Sequence, residues 1–148
     1  MKELFISGGT AVGKSHIVAQ VTEWLGGRAA IFDPLAHPAK IPSLPLNPSA
    51  CDLVVFDHAA WLKNGPAIYS EVRDWCITHN KSLWVVEQDR LWLEQKGYIF
   101  SSEICELHIE RFRGYPEIMF KHGGDTHTCS FGEFVCLWLQ QQMPVESA

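Results

Sequence analysis

The sequence has no run of lysine or arginine residues and no long hydrophobic stretch. Twelve Lys and Arg residues stand against seventeen Asp and Glu residues, which gives a formal net charge of -5 at pH 7. Composition therefore gives no support to a nucleic-acid-binding or anionic-membrane-binding surface. A membrane-spanning helix needs about twenty consecutive apolar residues, so we expect no membrane span.

The sequence also lacks a cysteine pattern typical of disulfide-bonded proteins. Its five cysteines are an odd number and widely spread: Cys51, Cys76, Cys105, Cys129 and Cys136. A reducing compartment fits this usage better than an oxidising one. The first residues do not resemble a signal peptide, because only three apolar residues lie between Glu3 and the first glycines. We therefore expect a cytoplasmic protein.

Short apolar runs alternate with helical patterns along the 148 residues, 47% of which are hydrophobic. This length predicts one domain, residues 1–148. The alternation predicts an α/β fold of three layers, with about five parallel strands, a possible extra edge strand and helices on both faces. Strands are expected at 4–6, 29–32, 53–57, 83–86, 107–113 and 118–120, and helices after 14, 66, 90 and 131. Five prolines between Pro34 and Pro48 exclude a regular helix there.

A glycine-rich segment directly follows the first predicted strand and precedes the first predicted helix. It matches the pattern Gly-x-x-x-x-Gly-Lys-Ser, which is typical of a phosphate-binding loop in that position. Glycines let backbone N–H groups approach an anion, and the helix N-terminus adds a partial positive charge. We therefore expect a nucleoside triphosphate to bind at Gly8, Gly9, Thr10, Ala11, Val12, Gly13, Lys14 and Ser15.

Three carboxylates follow other predicted strands: Asp33, Asp57 and Glu87. Ligands of open parallel sheets bind beyond the carboxyl ends of the strands, so these side chains are expected near the loop. Asp57 and the Ser15 hydroxyl would hold Mg²⁺, and Lys14 would contact the β- and γ-phosphates. Asp33 and Glu87 are candidates for orienting the attacking water, although the loop motif does not specify the catalytic base.

The segments Gly8–Ser15 and 53–57 resemble those of P-loop NTPases. Within that group, residues 27–34 look like the second-strand segment of ParA/MinD-like ATPases, including the TraL-like members of conjugative plasmids. The resemblance implies an ATP hydrolase that acts through a protein partner or a homodimer, in roles such as plasmid maintenance or conjugative transfer. It also implies that Asp33 positions the attacking water. Gly9 occupies the position of that family's signature lysine.

Two other functions remain open at this point. The loop is also similar to that of uridine-kinase-like enzymes, in which Asp33 would deprotonate an acceptor hydroxyl and Arg111 and Arg113 would neutralise phosphate. A non-hydrolytic regulatory module that changes conformation with nucleotide is the other alternative. Asp57 is followed by His58 and not by Glu, which argues against a helicase or AAA-type motor. No guanine-reading Asn-Lys-x-Asp motif occurs, so ATP is favoured over GTP.

Residues of metal-ligand type also cluster between positions 105 and 129. They are Cys105, His108, His122, His127 and Cys129. Four of them could in principle hold a tetrahedral Zn²⁺. Their spacing matches no standard zinc pattern, so the sequence leaves this site open.

Overall fold

The structure, a computed structural model, describes residues 2–9, 14–102, 104–112, 115–122, 125–129 and 133. Its regular elements are β1 (Lys2–Ser7), α1 (Lys14–Trp24), β2 (Ala29–Phe32), β3 (Leu53–Asp57), a short 3-10 turn (Ala59–Trp61), α2 (Gly65–His79), β4 (Ser82–Val86), α3 (Arg90–Gln95), β5 (Cys105–Phe112), β6 (Tyr115–His122) and β7 (Asp125–Cys129).

The described strands form one sheet in the order β2-β3-β4-β1-β5-β6-β7. The first five in this order are parallel, whereas β6 pairs antiparallel with β5 and β7 pairs antiparallel with β6. The predicted α/β fold with five parallel strands is thus confirmed. The sequence predicts one possible extra edge strand, whereas the described residues form two, β6 and β7, because the polar segment of β7 pairs with β6 as a further hairpin.

Helices cover both faces of the parallel part of the sheet, as the continuous apolar strands require. On one face, strand residues such as Leu4, Val55 and Trp84 pack against Val18 and Val21 of α1. On the other face, buried strand residues pack against α2, α3 and the segment that follows α3. These strand residues include Phe5, Phe56, Leu83 and Val85. The molecule therefore has the three layers that the sequence predicts.

Helix α2 begins and ends at asparagines in the left-handed backbone conformation. Asn64 precedes the helix with φ 56°, and Asn80 follows it with φ 53° and donates its N–H to Cys76 and Ile77 carbonyls. Asparagine is one of the few residues other than glycine that adopts this conformation readily. The local sequence therefore fixes both ends of the helix.

The proline-rich segment forms no helix, as predicted, but it is not without contacts. Asp33 and Lys40 form an isolated antiparallel bridge, in which each backbone N–H donates to the other residue's carbonyl, at 2.7 and 2.9 Å. Leu44 and Leu46 pack against the core on the α2 face. The segment thus lies against the edge strand β2 and holds Asp33 in place.

None of the helices in the described part of the chain is long and apolar enough to cross a membrane. The last predicted helix, after residue 131, lies outside the described residues except for Glu133, which is helical.

The assignment of the core can be tested by replacing one buried leucine and one exposed leucine with alanine. Leu83 is fully buried in β4, whereas Leu91 in α3 is 59% exposed. We expect Leu83→Ala to lower the free energy of unfolding by about 2–5 kcal/mol through lost burial and an unfilled cavity. Leu91→Ala should change it by less than about 0.5 kcal/mol. Urea denaturation measures both; equal effects would contradict the assigned core.

Candidate functional site

The carboxyl ends of β1, β2, β3 and β4 meet at one edge of the sheet. Phe32 aligns with Phe56, and Val86 aligns with both Ile6 and Asp57. Because neighbouring strands are about 4.8 Å apart, this alignment brings the residues that follow each strand into one region. The structure thus places Asp33, Asp57 and Glu87 at the same edge as the glycine-rich loop, as expected from the sequence.

The described part of the loop is anchored to the neighbouring strand. Gly8 is buried, its N–H donates to the Gln88 carbonyl at 3.3 Å, and its φ of 144° is one that side chains rarely adopt. Gly9 is exposed, and a Cβ added there would meet no atom within 4 Å. The positions 10–13 lie outside the described residues, as does the side chain of Ser15. Their predicted roles stay predictions.

Lys14 is the first residue of α1, and its ammonium folds back onto the loop. Its Nζ donates to the carbonyls of Gly8 and Gly9, the latter at 2.6 Å. Burial lowers the pKa of Lys14, while the negative charges of Glu87 and Asp57 partly oppose that shift. The ammonium thus lies in a partly desolvated position, where the charges of two of the three carboxylates act on it.

The carboxylates of Asp33 and Asp57 both lie near the ring nitrogen Nδ1 of His58. The ring nitrogen Nδ1 of His58 is 2.9 Å from Asp33 Oδ1 and 3.6 Å from Asp57 Oδ1. The backbone N–H of His58 donates to Asp57 Oδ1 at 2.9 Å. Burial raises the pKa of Asp57; the charge of His58 opposes this shift, and those of Asp33 and Glu87 add to it. Burial alone would lower the pKa of His58, but Asp33, Asp57 and Glu87 together raise it.

Glu87 is buried, and both of its carboxylate oxygens accept backbone hydrogen bonds. Oε2 accepts from Ala60 N at 3.0 Å, and Oε1 accepts from Gln88 N at 2.9 Å. The neighbouring Tyr98 hydroxyl donates to the Ala59 carbonyl at 2.7 Å. The turn after β3 is therefore fixed at two successive residues, and this fixes the carboxylate of Glu87 as well.

A cavity of about 420 Å³ opens between α1 and the edge strand β2. Its lining combines three apolar side chains with five polar or charged ones, which are Thr22, Glu23, Asp33, Lys40 and Asp57. Asp33 and Asp57 thus face a space large enough for a small molecule.

His58 is the residue of this site to which the sequence analysis gave no role. Its backbone is left-handed, with φ 52°, which is uncommon outside glycine and several-fold enriched for His, Asn and Asp. The available signal was its position directly after the strand-terminal Asp57. Nothing in the sequence alone shows that the turn directs the Nδ1 atom of His58 toward the two carboxylates.

The structure separates two of the residues considered for zinc. Cys105 packs on the α1 face of the sheet with Leu107 and Ile109, so His108 points to the opposite face. There its Nδ1 lies 2.8 Å from the Ser7 hydroxyl. Cys105 and His108 therefore cannot hold one ion together. The side chains of His122, His127 and Cys129 lie outside the described residues.

No protein-family model matches the chain, and comparison with curated protein sequences finds no significant match. Among solved structures, a KaiC-like protein from the hyperthermophilic archaeon Pyrococcus horikoshii OT3 is similar, with a TM-score of 0.46 and 8% identity. The match covers 86% of this chain and 84% of that chain. At this TM-score the likeness carries no argument, so the fold assignment rests on the sheet and layers described above.

The His58–Asp33 contact predicts a pH effect in metal-free protein. Asp33→Asn removes the hydrogen-bonded negative charge, so we expect the pKa of His58 to fall. Because the pKa of His58 is raised in the folded wild type, its imidazole binds a proton more tightly there than in the unfolded chain. The contact's stabilising effect is therefore fully present below pH 6.5, the ordinary pKa, and is lost as pH rises through the raised pKa.

NMR titration of the imidazole measures the pKa directly. Asp52→Asn serves as the matched control, because Asp52 pairs with Arg28 and precedes β3 at the opposite end of that strand. The control should leave the His58 pKa unchanged. An equal shift in both variants would mean that the effect is not local.

Proposed function

We propose that this protein binds Mg²⁺-ATP where the carboxyl ends of β1 to β4 meet the glycine-rich loop, and that it hydrolyses the ATP. The observation that carries the proposal is the position of Lys14, whose ammonium lies on the loop carbonyls within the field of Asp57 and Glu87. A partly desolvated cation at a helix N-terminus is well suited to a polyphosphate. The loop sequence and the convergent carboxylates support the same function.

The described residues fit a nucleotide's phosphates. The open space around Gly9 leaves room for a phosphate against the backbone. The first N–H groups of α1 have no partners within the helix and carry its positive dipole end. Lys14 would exchange its bonds to Gly8 and Gly9 for bonds to phosphate oxygens, which are stronger because both partners are charged.

Asp57 is the residue best suited to hold the magnesium ion, with the Ser15 hydroxyl as the second ligand expected from the sequence. Bound Mg²⁺ would neutralise phosphate charge. Burial and neighbouring carboxylates raise the pKa of Asp57, so this side chain carries an unfavourable charge that a cation would stabilise. The donor chemistry, a carboxylate and a hydroxyl, suits a hard cation.

Glu87 is the carboxylate that we assign to orienting the attacking water. It follows β4, which pairs directly with β1, whereas Asp33 follows β2, two strands further from β1. Its charge is also the largest of the carboxylate effects on Lys14. The two N–H bonds to Glu87 hold it without reorganisation, which is how electrostatic catalysis operates. Asp33 remains the second candidate, on the ParA/MinD resemblance.

The finer role, a ParA/MinD-like ATPase acting through a partner or homodimer, rests on the sequence resemblance. A small kinase is a second candidate, because the 420 Å³ cavity lies beside Asp33 and could take an acceptor. ATP turnover with and without added nucleosides or other hydroxyl compounds separates the two. Turnover that requires an acceptor would favour the kinase.

Lys14→Ala tests the nucleotide site. Loss of its charged contacts to phosphate should weaken Mg²⁺-ATP binding by roughly tenfold to a hundredfold. Lys81→Ala is the matched control, because Lys81 lies next to the start of β4, at the opposite edge of the sheet. Titration calorimetry measures both affinities. Undiminished ATP binding by Lys14→Ala would contradict the proposed site.

Paired carboxylate substitutions test the assignment of the water-orienting group. Glu87→Gln should lower kcat by roughly 10²–10⁴-fold, the usual contribution of a general base, with little change in ATP affinity. Asp33→Asn should lower it less. Single-turnover ATP hydrolysis measures the chemical step. The reverse order of effects would assign the water-orienting role to Asp33.

A further inference from the structure

One histidine and two carboxylates form a cluster that the proposed ATP hydrolysis does not fully use. Among the described residues, one potential ligand atom from each of Asp33, Asp57 and His58 lies within 4.8 Å of the others. We propose that these three side chains bind a divalent transition-metal ion, such as Mn²⁺, in the absence of nucleotide. The ion would share Asp57 with the proposed ATP site, but its binding does not depend on the loop.

The distances fit such an ion. Metal ligands of this kind lie at about 2.0–2.2 Å from the metal, so two ligands at right angles are about 3 Å apart. Nδ1 of His58 is 2.9 Å from Asp33 Oδ1 and 3.6 Å from Asp57 Oδ1. An ion would take the place of the hydrogen bond between His58 Nδ1 and Asp33 Oδ1.

The surroundings of the cluster provide a second, independent observation. Asp33 and Asp57 line the 420 Å³ cavity beside α1. An ion held by three protein ligands would therefore keep open positions for water or a small ligand on the cavity side, as catalytic metal sites do.

Backbone contacts hold Asp33 and the turn that carries His58 in place without help from an ion. Asp33 is fixed by the bridge to Lys40 and by the Leu35 N–H, which donates to Oδ1 at 3.0 Å. The His58 carbonyl accepts from Trp61 N at 2.9 Å, and the next residue is held by Tyr98. A preformed set of ligands loses little conformational freedom when an ion binds.

The donor set indicates the class of ion. Mg²⁺ and Ca²⁺ prefer oxygen ligands alone, whereas one imidazole with two carboxylates suits Mn²⁺, Fe²⁺, Co²⁺ or Zn²⁺. We select Mn²⁺ as the probe, because its preference for oxygen and imidazole ligands avoids the chain's five cysteines. In this assignment Asp33 is a metal ligand, which agrees with assigning the attacking water to Glu87.

The test is the loss of the free Mn²⁺ signal in electron paramagnetic resonance when the full chain is added without nucleotide. We expect one Mn²⁺ per chain, bound more tightly than Mg²⁺ in competition. His58→Gly removes the imidazole and suits the left-handed backbone, and it should weaken Mn²⁺ binding by at least about tenfold. Asn64→Gly is the matched control at another left-handed position and should bind Mn²⁺ like the wild type.

Asp33→Asn provides a second variant that leaves the turn after β3 intact, and it should weaken Mn²⁺ binding as well. Two results would overturn the proposal: no Mn²⁺ bound by the wild type, or equal binding by His58→Gly. The cluster would then be an ion pair that holds the turn. Because no nucleotide is present, a failure of ATP binding would not affect this measurement.

Discussion

Four parallel strands end at one edge of the sheet, and this shared edge determines where the charged groups of the site can lie. The register brings the residues after β2, β3 and β4 next to each other and next to the loop that follows β1. Apolar side chains on both faces of these strands hold that register, because a slip of one residue would exchange the two faces and disrupt their packing against α1 and α2. The site therefore depends directly on the core.

The same edge concentrates charge in a partly desolvated region. Asp33, Asp57 and Glu87 lie there with two basic groups, Lys14 and His58. Burial and the neighbouring carboxylates raise the pKa of Asp57, although the charge of His58 opposes this shift. Magnesium would add positive charge beside Asp57, and Lys14 is free to exchange its carbonyl contacts for phosphate. The electrostatics thus favour a ligand that brings both a cation and an anion, as Mg²⁺-ATP does.

Patterns confined to one strand, helix or turn were predictable from the sequence. Continuous apolar runs located the parallel strands, Asn64 and Asn80 located the ends of α2, and the loop motif located Lys14 at the start of α1. The orientation of His58 was not predictable, because it depends on contacts made by Glu87 and Tyr98 with the following turn. The polar strand β7 has no apolar run of its own, since it pairs at the edge of the sheet.

A structure determined with a bound, slowly hydrolysed ATP analogue and Mg²⁺ tests the central claim most directly. The account predicts that the phosphates lie against the loop that begins at Gly8. It also predicts that Lys14 Nζ has left the Gly8 and Gly9 carbonyls for phosphate oxygens, with Asp57 beside the metal. Phosphates bound elsewhere, with Lys14 still on the two carbonyls, would contradict it.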